Sequence, residues 1–435
     1  MASRFPLARE DVSPLAQPLR FDFSQKVAPN RFLKAAMTEK LGSWNPQVNE
    51  ARGIPSPEIH NVYQQWGEGG IGHILTGNIM LAYDQLEAPG NLIIPTHAPF
   101  DGPRFEAFAK LATVAKAHGS LITGQVTHPG RQVDRRIQPN PVSASDIQLQ
   151  GKVLGLEFAK PHPASQQELN EIVRSFTFAA QYLDRAGFDG IELQGAHGYL
   201  LSQFLSRSTN LRTDRYGGDL RNRARLIVEI ANSIRANTSP GFIMGIKINS
   251  VEFQTGGFTV DEARELCRML EEATFDFVEL SGGTYQAMAF KHERESTRKR
   301  EAFFLEFADM IVPALQKTKT YITGGFKTLS GMLDALNTVD GVGLGRAVAQ
   351  EFSLAKDLLS GDISAAVDQK VDQDDFALTN IIAGSQIRQV GKGQEPIDMS
   401  REENVQTFLK ALRAWAQRME EDAQTMKLYG YVDLD

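Results

Sequence analysis

The chain has 435 residues, 42% of them hydrophobic, which is enough to bury one large core or two ordinary ones. Its 46 lysines and arginines stand against 53 aspartates and glutamates, a net charge of -7, which argues against non-specific binding to nucleic acid or to an anionic membrane and favours a small-molecule partner. The single cysteine excludes an intrachain disulfide and a four-thiolate iron–sulfur site. With no apolar leader and no unbroken apolar run long enough to span a bilayer, a cytoplasmic protein without a membrane span is expected.

In chain order, Leu19 to Phe23 and a turn around Pro29-Asn30 read as a small N-terminal hairpin. Short apolar runs then alternate with amphipathic helices, the pattern of a parallel sheet with crossover helices. Eight such runs are present: 31–37, 72–81, 121–128, 190–196, 243–250, 277–283, 320–326 and 341–348. Eight strands of this kind predict a closed α/β barrel. An open doubly wound sheet would need a glycine-rich dinucleotide turn after its first strand, and the chain has none. Among the helices, Ser165-x-x-Glu168 and Thr259-x-x-Glu262 are capping boxes, and Leu169, Ile172, Val173, Phe176 and Leu183 line one face before Gly187. Cys267 falls on the apolar side of a helix with Ala263, Leu266 and Leu270, as a core residue would.

The barrel and its hairpin are expected over residues 1–360, with a helical extension over 361–435. In that extension Ser400-x-x-Glu403 is expected to open a helix whose stripe is Val405, Phe408, Leu409, Leu412, Trp415 and Met419, packed on the barrel or on another subunit. The final MKLYGYVDLD, with Tyr429 and Tyr431, is expected to reach a neighbouring subunit of a homo-oligomer.

Polar residues gather where the strands end, and strand ends are where such barrels carry chemistry. Residues 190–225 are the densest case: Gln194, His197 and Tyr199 converge after a strand, and Asn210 to Gly218 form a polar, turn-rich loop. Lys247 lies between Ile246 and Ile248, so alternation sends it into the barrel. Gln125 can donate and accept hydrogen bonds at once. Glycines at Ser281-Gly282-Gly283, Thr323-Gly324-Gly325 and Gly343-Leu344-Gly345-Arg346 leave backbone N–H groups free for a phosphate, with Arg346 adding charge.

The run HGYLLSQFLS, followed by NLRTDRYGG and RNRAR, resembles the signature of the Old Yellow Enzyme family. The resemblance implies a (β/α)8 TIM barrel that binds FMN non-covalently and uses NADH or NADPH to reduce an electron-poor alkene. It places Thr38 by flavin O4 and N5, Gly77 against the ring, Gln125 on the pyrimidine edge and Lys247 beside N1 and O2. Phosphate contacts fall to Gly283, Gly324, Gly325, Gly345 and Arg346. Gln194 and His197 would hold the oxygen of the activated alkene, and Tyr199 would supply the proton. Gln194 departs from the family's usual histidine; its amide can donate but cannot become a cation. His128 is expected to be held in the barrel wall. The proline-rich segment 131–163 is expected to form a lid, and the basic loop Thr284 to Arg300 either to be solvated or to meet the phosphates of NADPH or an acidic substrate. A specialised biosynthetic oxidase or isomerase of the same family, and a flavin-binding protein without turnover, are the alternatives.

Overall fold

The computed structural model describes residues 4–5, 10–153, 156–252, 257–281 and 305–434. Gly283 and the basic loop Thr284 to Arg300 lie outside the described residues. Among those described, eight parallel strands form the barrel: β1 Phe32–Lys34, β2 His73–Leu75, β3 Leu121–Thr127, β4 Gly190–Gly195, β5 Ile243–Asn249, β6 Phe277–Ser281, β7 Lys319–Thr323 and β8 Gly341–Leu344. Each pairs with the next, and β8 pairs with β1. That closure rejects the open sheet, and each of the eight barrel strands among the described residues has a neighbour on both sides.

The outer ring is α1 Pro57–Glu68, α2 Gly102–Lys116, α3 Gln166–Arg185, α4 Arg225–Asn237, α5 Val260–Glu272, α6 Leu305–Ile311, α7 Leu329–Ala335 and α8 Leu354–Ser360. Both capping boxes form, at Ser165 for α3 and Thr259 for α5, and Gly187 takes the left-handed conformation (φ 88°) that ends a helix. Cys267 is buried in the core, and burial pushes its thiol up to about 12.

Strand alternation divides the barrel interior into two layers. The lower one is apolar: Leu33, Leu75, Leu121, Ile243, Phe277 and Tyr321 pack with Leu19, Phe21 and Ala28 from the N-terminal hairpin. The hairpin pairs Leu19–Arg20 with Val27–Ala28, so its turn is at residues 21–26 and not around Pro29-Asn30. It is a plug for the barrel floor, and Phe21, fully buried, contributes about 1.5–3 kcal/mol by that burial. The upper layer is polar. Register sets Gln125 beside Glu192, Gln194 beside Lys247 and Lys247 beside Glu279.

The extension consists of α9 Phe376–Gly391 and α10 Glu402–Glu421. α9 lies on α1, where Asn61 Nδ2 donates to the carbonyl of Gly391 at 2.9 Å. One expectation for this region is corrected. α10 starts at Glu402, because Ser400 Oγ donates to Asp398 Oδ1 (2.7 Å) and does not cap the helix. The tail folds onto its own chain: Val432 is buried with Phe408 and Met399, and Asp433 pairs with Arg388 (3.2 Å) and Lys392. Among the described residues no helix is long and apolar enough to cross a membrane.

Candidate active site

A cavity of about 570 Å³ opens at the carboxyl ends of the strands. Thr38, Gln125, Gln194, His197, Tyr199, Lys247, Gly324, Gly325, Gly345 and Arg346 all line it. Ten of the twelve residues singled out from the sequence therefore share one chamber.

Its inner end is a connected polar network. Lys247 Nζ donates to Glu279 Oε1 at 2.8 Å, and Gln125 Nε2 donates to Glu192 Oε1 at 2.6 Å. Glu279 also accepts from Thr323 Oγ1. Oε2 of both glutamates is buried away from any other donor, and the two carboxyl groups meet each other through a side-chain hydrogen bond. Two carboxylates in so dry a place cannot both stay ionised. Burial and the like charge of Glu279 push Glu192 well above the usual carboxylate range, whereas Lys247 overcomes burial to hold Glu279 below it. The network thus carries one cation, one carboxylate and one neutral acid.

The residues after β4 are oriented by specific contacts. The backbone N–H of Ala196 donates to Gln194 Oε1 (3.1 Å), which leaves the Gln194 amide N–H groups as the donors facing the chamber; one lies 3.4 Å from Gln125 Oε1. His197 sits in the left-handed region (φ 56°), an uncommon place for a non-glycine residue, with its N–H bonded to Asn249 Oδ1 and Nε2 2.9 Å from Ser281 Oγ. Burial, with Lys247 acting the same way, pushes its imidazole down to about 3, so the ring is neutral. When the Ser281 hydroxyl donates to Nε2, the proton resides on Nδ1 and that nitrogen becomes a donor. Tyr199 heads the short helix Leu200–Leu205, and its hydroxyl is 3.4 Å from Asn78 Nδ2, which also donates to Thr38 Oγ1 at 3.2 Å. Thr127 Oγ1 fixes that amide by donating to Asn78 Oδ1 at 2.6 Å.

Two expectations change at this level. Gly77 is not on the cavity wall: its N–H donates to Glu39 Oε1 (2.8 Å), and a Cβ there would lie 2.2 Å from Glu39 Oε2, so the absent side chain makes room for Glu39. The same contact breaks the run 72–81 into His73–Leu75 and Ile79–Met80. Among the described residues none of segment 131–163 lines the cavity; it packs against the residues after β4, where Gln132 Nε2 donates to the carbonyl of His197 (3.2 Å) and Arg212 Nη1 donates to that of Ala144 (3.2 Å). The NLRTDRYGG loop is itself scaffolding, with Asn210 Nδ2 donating to the carbonyls of Phe204 and Tyr216. His128 does stay in the wall, its Nδ1 accepting from the N–H of Gly130 at 3.0 Å.

Sequence reasoning missed Asn78, Ser281, Glu192 and Glu279 as site residues. Inward alternation on β4 and β6 could have flagged the two glutamates. It also missed that α9, α10 and the tail wall the chamber through Phe376, Asn380, Trp415 and Tyr431.

The chamber suits FMN. Two amides, a lysine and a threonine stand at one end, a set able to meet a ring edge of mixed donors and acceptors. At the other, a Cβ on Gly345 would find nothing closer than Met37 Sδ at 3.9 Å, so its backbone is open to the space beside Arg346 and Lys327, where a phosphate fits.

This closed barrel and donor set define a flavin-dependent oxidoreductase of the Old Yellow Enzyme type. The chain belongs to the NADH:flavin oxidoreductase / NADH oxidase family, whose sequence pattern matches residues 14–361. It is 50% identical over 410 residues to the NADH-dependent flavin oxidoreductase nadA of Aspergillus parasiticus, covering 94% of this chain and 92% of that protein. Morphinone reductase in complex with tetrahydroNAD superposes with a TM-score of 0.66 at 22% identity, covering 81% of this chain and 92% of its own. The old yellow enzyme homologue from Zymomonas mobilis gives 0.65 at 20%, covering 81% and 94%. The chain is an FMN-binding oxidoreductase driven by a nicotinamide cofactor.

Proposed function

We propose that the protein is an ene-reductase that adds hydrogen across the C=C bond of an α,β-unsaturated carbonyl or similar electron-poor alkene. The observation that carries this reading is the convergence of Gln194, His197 and Tyr199 beside Lys247 in one chamber. When bound, FMN would supply the hydride-transfer chemistry between NADH or NADPH and the alkene β-carbon.

Everything else falls to side chains of this chain. The Gln194 amide and the Nδ1–H of His197 hold the alkene's oxygen and stabilise the negative charge that grows on it. Tyr199 donates its phenolic proton to the α-carbon, and Asn78 Nδ2–H supports the phenolate left behind. Thr38, Gln125 and Lys247 orient the cofactor's ring, with Lys247 compensating charge on the pyrimidine edge. Gly324, Gly325, Gly345 and Arg346 hold its phosphate. The barrel, residues 1–360, carries the chemistry, and residues 361–435 close the chamber around it.

The test is anaerobic stopped-flow absorbance near 450 nm. NADH should bleach the bound flavin, and N-methylmaleimide or cyclohexenone should restore its colour. Recovery with dioxygen alone would replace this reading with an oxidase.

A further inference from the structure

The family's sequence pattern ends at residue 361, yet part of the chamber wall comes from beyond it: Asn380 of α9, Trp415 of α10 and Tyr431 of the tail. Facing Tyr431 is Lys40, in the loop that leaves β1, with Nζ 4.5 Å from the centre of the tyrosine ring. Tyr431 is fixed on two sides. Its hydroxyl donates to the Thr38 carbonyl at 3.1 Å, and Gly384 allows the ring to lie where a Cβ would come within 2.3 Å of it.

Lys40 differs from the other cations on the wall. Among the described residues these are Lys247, Arg346 and Lys327, whose side chains donate to Glu279, Thr379 and Gln373. Lys40 is set on an aromatic face instead, and Glu87, also on the wall, acts on it only through space. A π-face positions an ammonium without consuming its N–H donors. The position is also separate from the phosphate end: along α9, Thr379, which receives Arg346, and Gly384, which receives Tyr431, are five residues or about 7–8 Å apart.

We propose that Lys40, held by Tyr431, recognises a carboxylate on the substrate, so that the preferred alkene is an anionic acid whose apolar body rests against Trp415. This rests on the alkene-reductase reading above and adds a substrate class to it. An ammonium held on an aromatic ring inside a wall gains more from a carboxylate than one free in solvent, because less water competes for it. Tyr431 is a positioning residue, acting on substrate through Lys40. The same ammonium could instead meet the pyrophosphate of NADH, and the experiment separates the two sources.

The probes are 3-benzoylacrylate, its methyl ester and the saturated 3-benzoylpropionate, used with full-length FMN-loaded enzyme. Wild type should prefer the acid to the ester, and Lys40→Met should lower the acid-to-ester ratio of kcat/KM about ten-fold, chiefly through KM. Lys40→Arg should restore much of the preference, and Tyr431→Leu should lose it although Lys40 remains. Binding of 3-benzoylpropionate, read from the shift of the flavin spectrum without turnover, should weaken in Lys40→Met and Tyr431→Leu alike. The proposal is overturned if acid and ester respond equally, or if the main change is in the NADH concentration that half-saturates bleaching, which would assign Lys40 to the nicotinamide cofactor. If neither alkene reoxidises the flavin, the ene-reductase reading fails, while the propionate titration still decides whether Lys40 binds a carboxylate.

Discussion

The hydroxyl of Tyr431 donates to the main-chain carbonyl of Thr38 at 3.1 Å, joining the end of the chain to the loop that leaves the first barrel strand. Tyr431→Phe removes that bond and keeps the ring, and should lower stability by about 1 kcal/mol in urea titrations. Ending the chain after Thr425 also removes buried Val432 and the Asp433 pairs, and should lower it by about 2–4 kcal/mol. Equal stability of the truncated and full-length proteins would refute the packing of the tail on its own chain.

Tyr199→Phe keeps the ring and removes the proton. Reoxidation of the flavin by an enone should slow by about 10²–10⁴-fold, the range of general acid catalysis, with NADH-driven bleaching far less affected. A comparable slowing of both half-reactions in the stopped-flow traces would assign Tyr199 to cofactor binding.

The neutral ring of His197 makes a statement about pH. Its folded value of about 3 lies below the ordinary 6.5, so between these limits the unfolded chain binds more protons than the folded one. Stability from this residue should therefore fall as pH drops from about 6.5 toward 3. His73 and His128, both pushed down to about 4 by burial, act in the same direction. Replacing His197 with Asn should make the decline in urea midpoint between about pH 6.5 and pH 4.5 shallower. For catalysis, Ser281→Ala releases Nε2 and should slow the alkene step about ten-fold by mixing the imidazole tautomers, with Ser281→Thr restoring it.

Glu192 and Glu279 are both inside the barrel but should respond oppositely to neutralisation. Burial and the like charge of Glu279 hold Glu192 well above the ordinary carboxylate range, so Glu192→Gln should match wild type at acid pH and be more stable than wild type at neutral pH. It should also remove a fall in stability that otherwise begins as pH rises above the ordinary glutamate range, where the unfolded carboxyl ionises and the folded one does not. Glu279→Gln leaves Lys247 as a buried cation without its counter-charge and should destabilise by about 3–5 kcal/mol. Thermal melts across pH distinguish the pair, and equal losses in both variants would refute a protonated Glu192.

Local periodicity and capping determined much of this protein. Alternation in β5 set Lys247 inward between two outward isoleucines, the helical stripes marked the faces that cover the barrel, and Ser165 and Thr259 began their helices where the capping boxes stand. The residues after β4 pointed to the site because one short segment carries three of its side chains. What the sequence alone did not decide is which groups meet across the barrel. Alternation sends both Lys247 and Glu279 inward, but only closure brings them to 2.8 Å and pins the lysine. The glycine at 77 serves a glutamate that approaches from the loop after β1, not a ligand. The chamber is walled by α9, α10 and Tyr431, through a contact between residues 393 positions apart. Period and propensity act over a few residues and select a face; partners so distant in sequence are chosen only when the whole chain packs, because burial and hydrogen-bond satisfaction are properties of the assembled core.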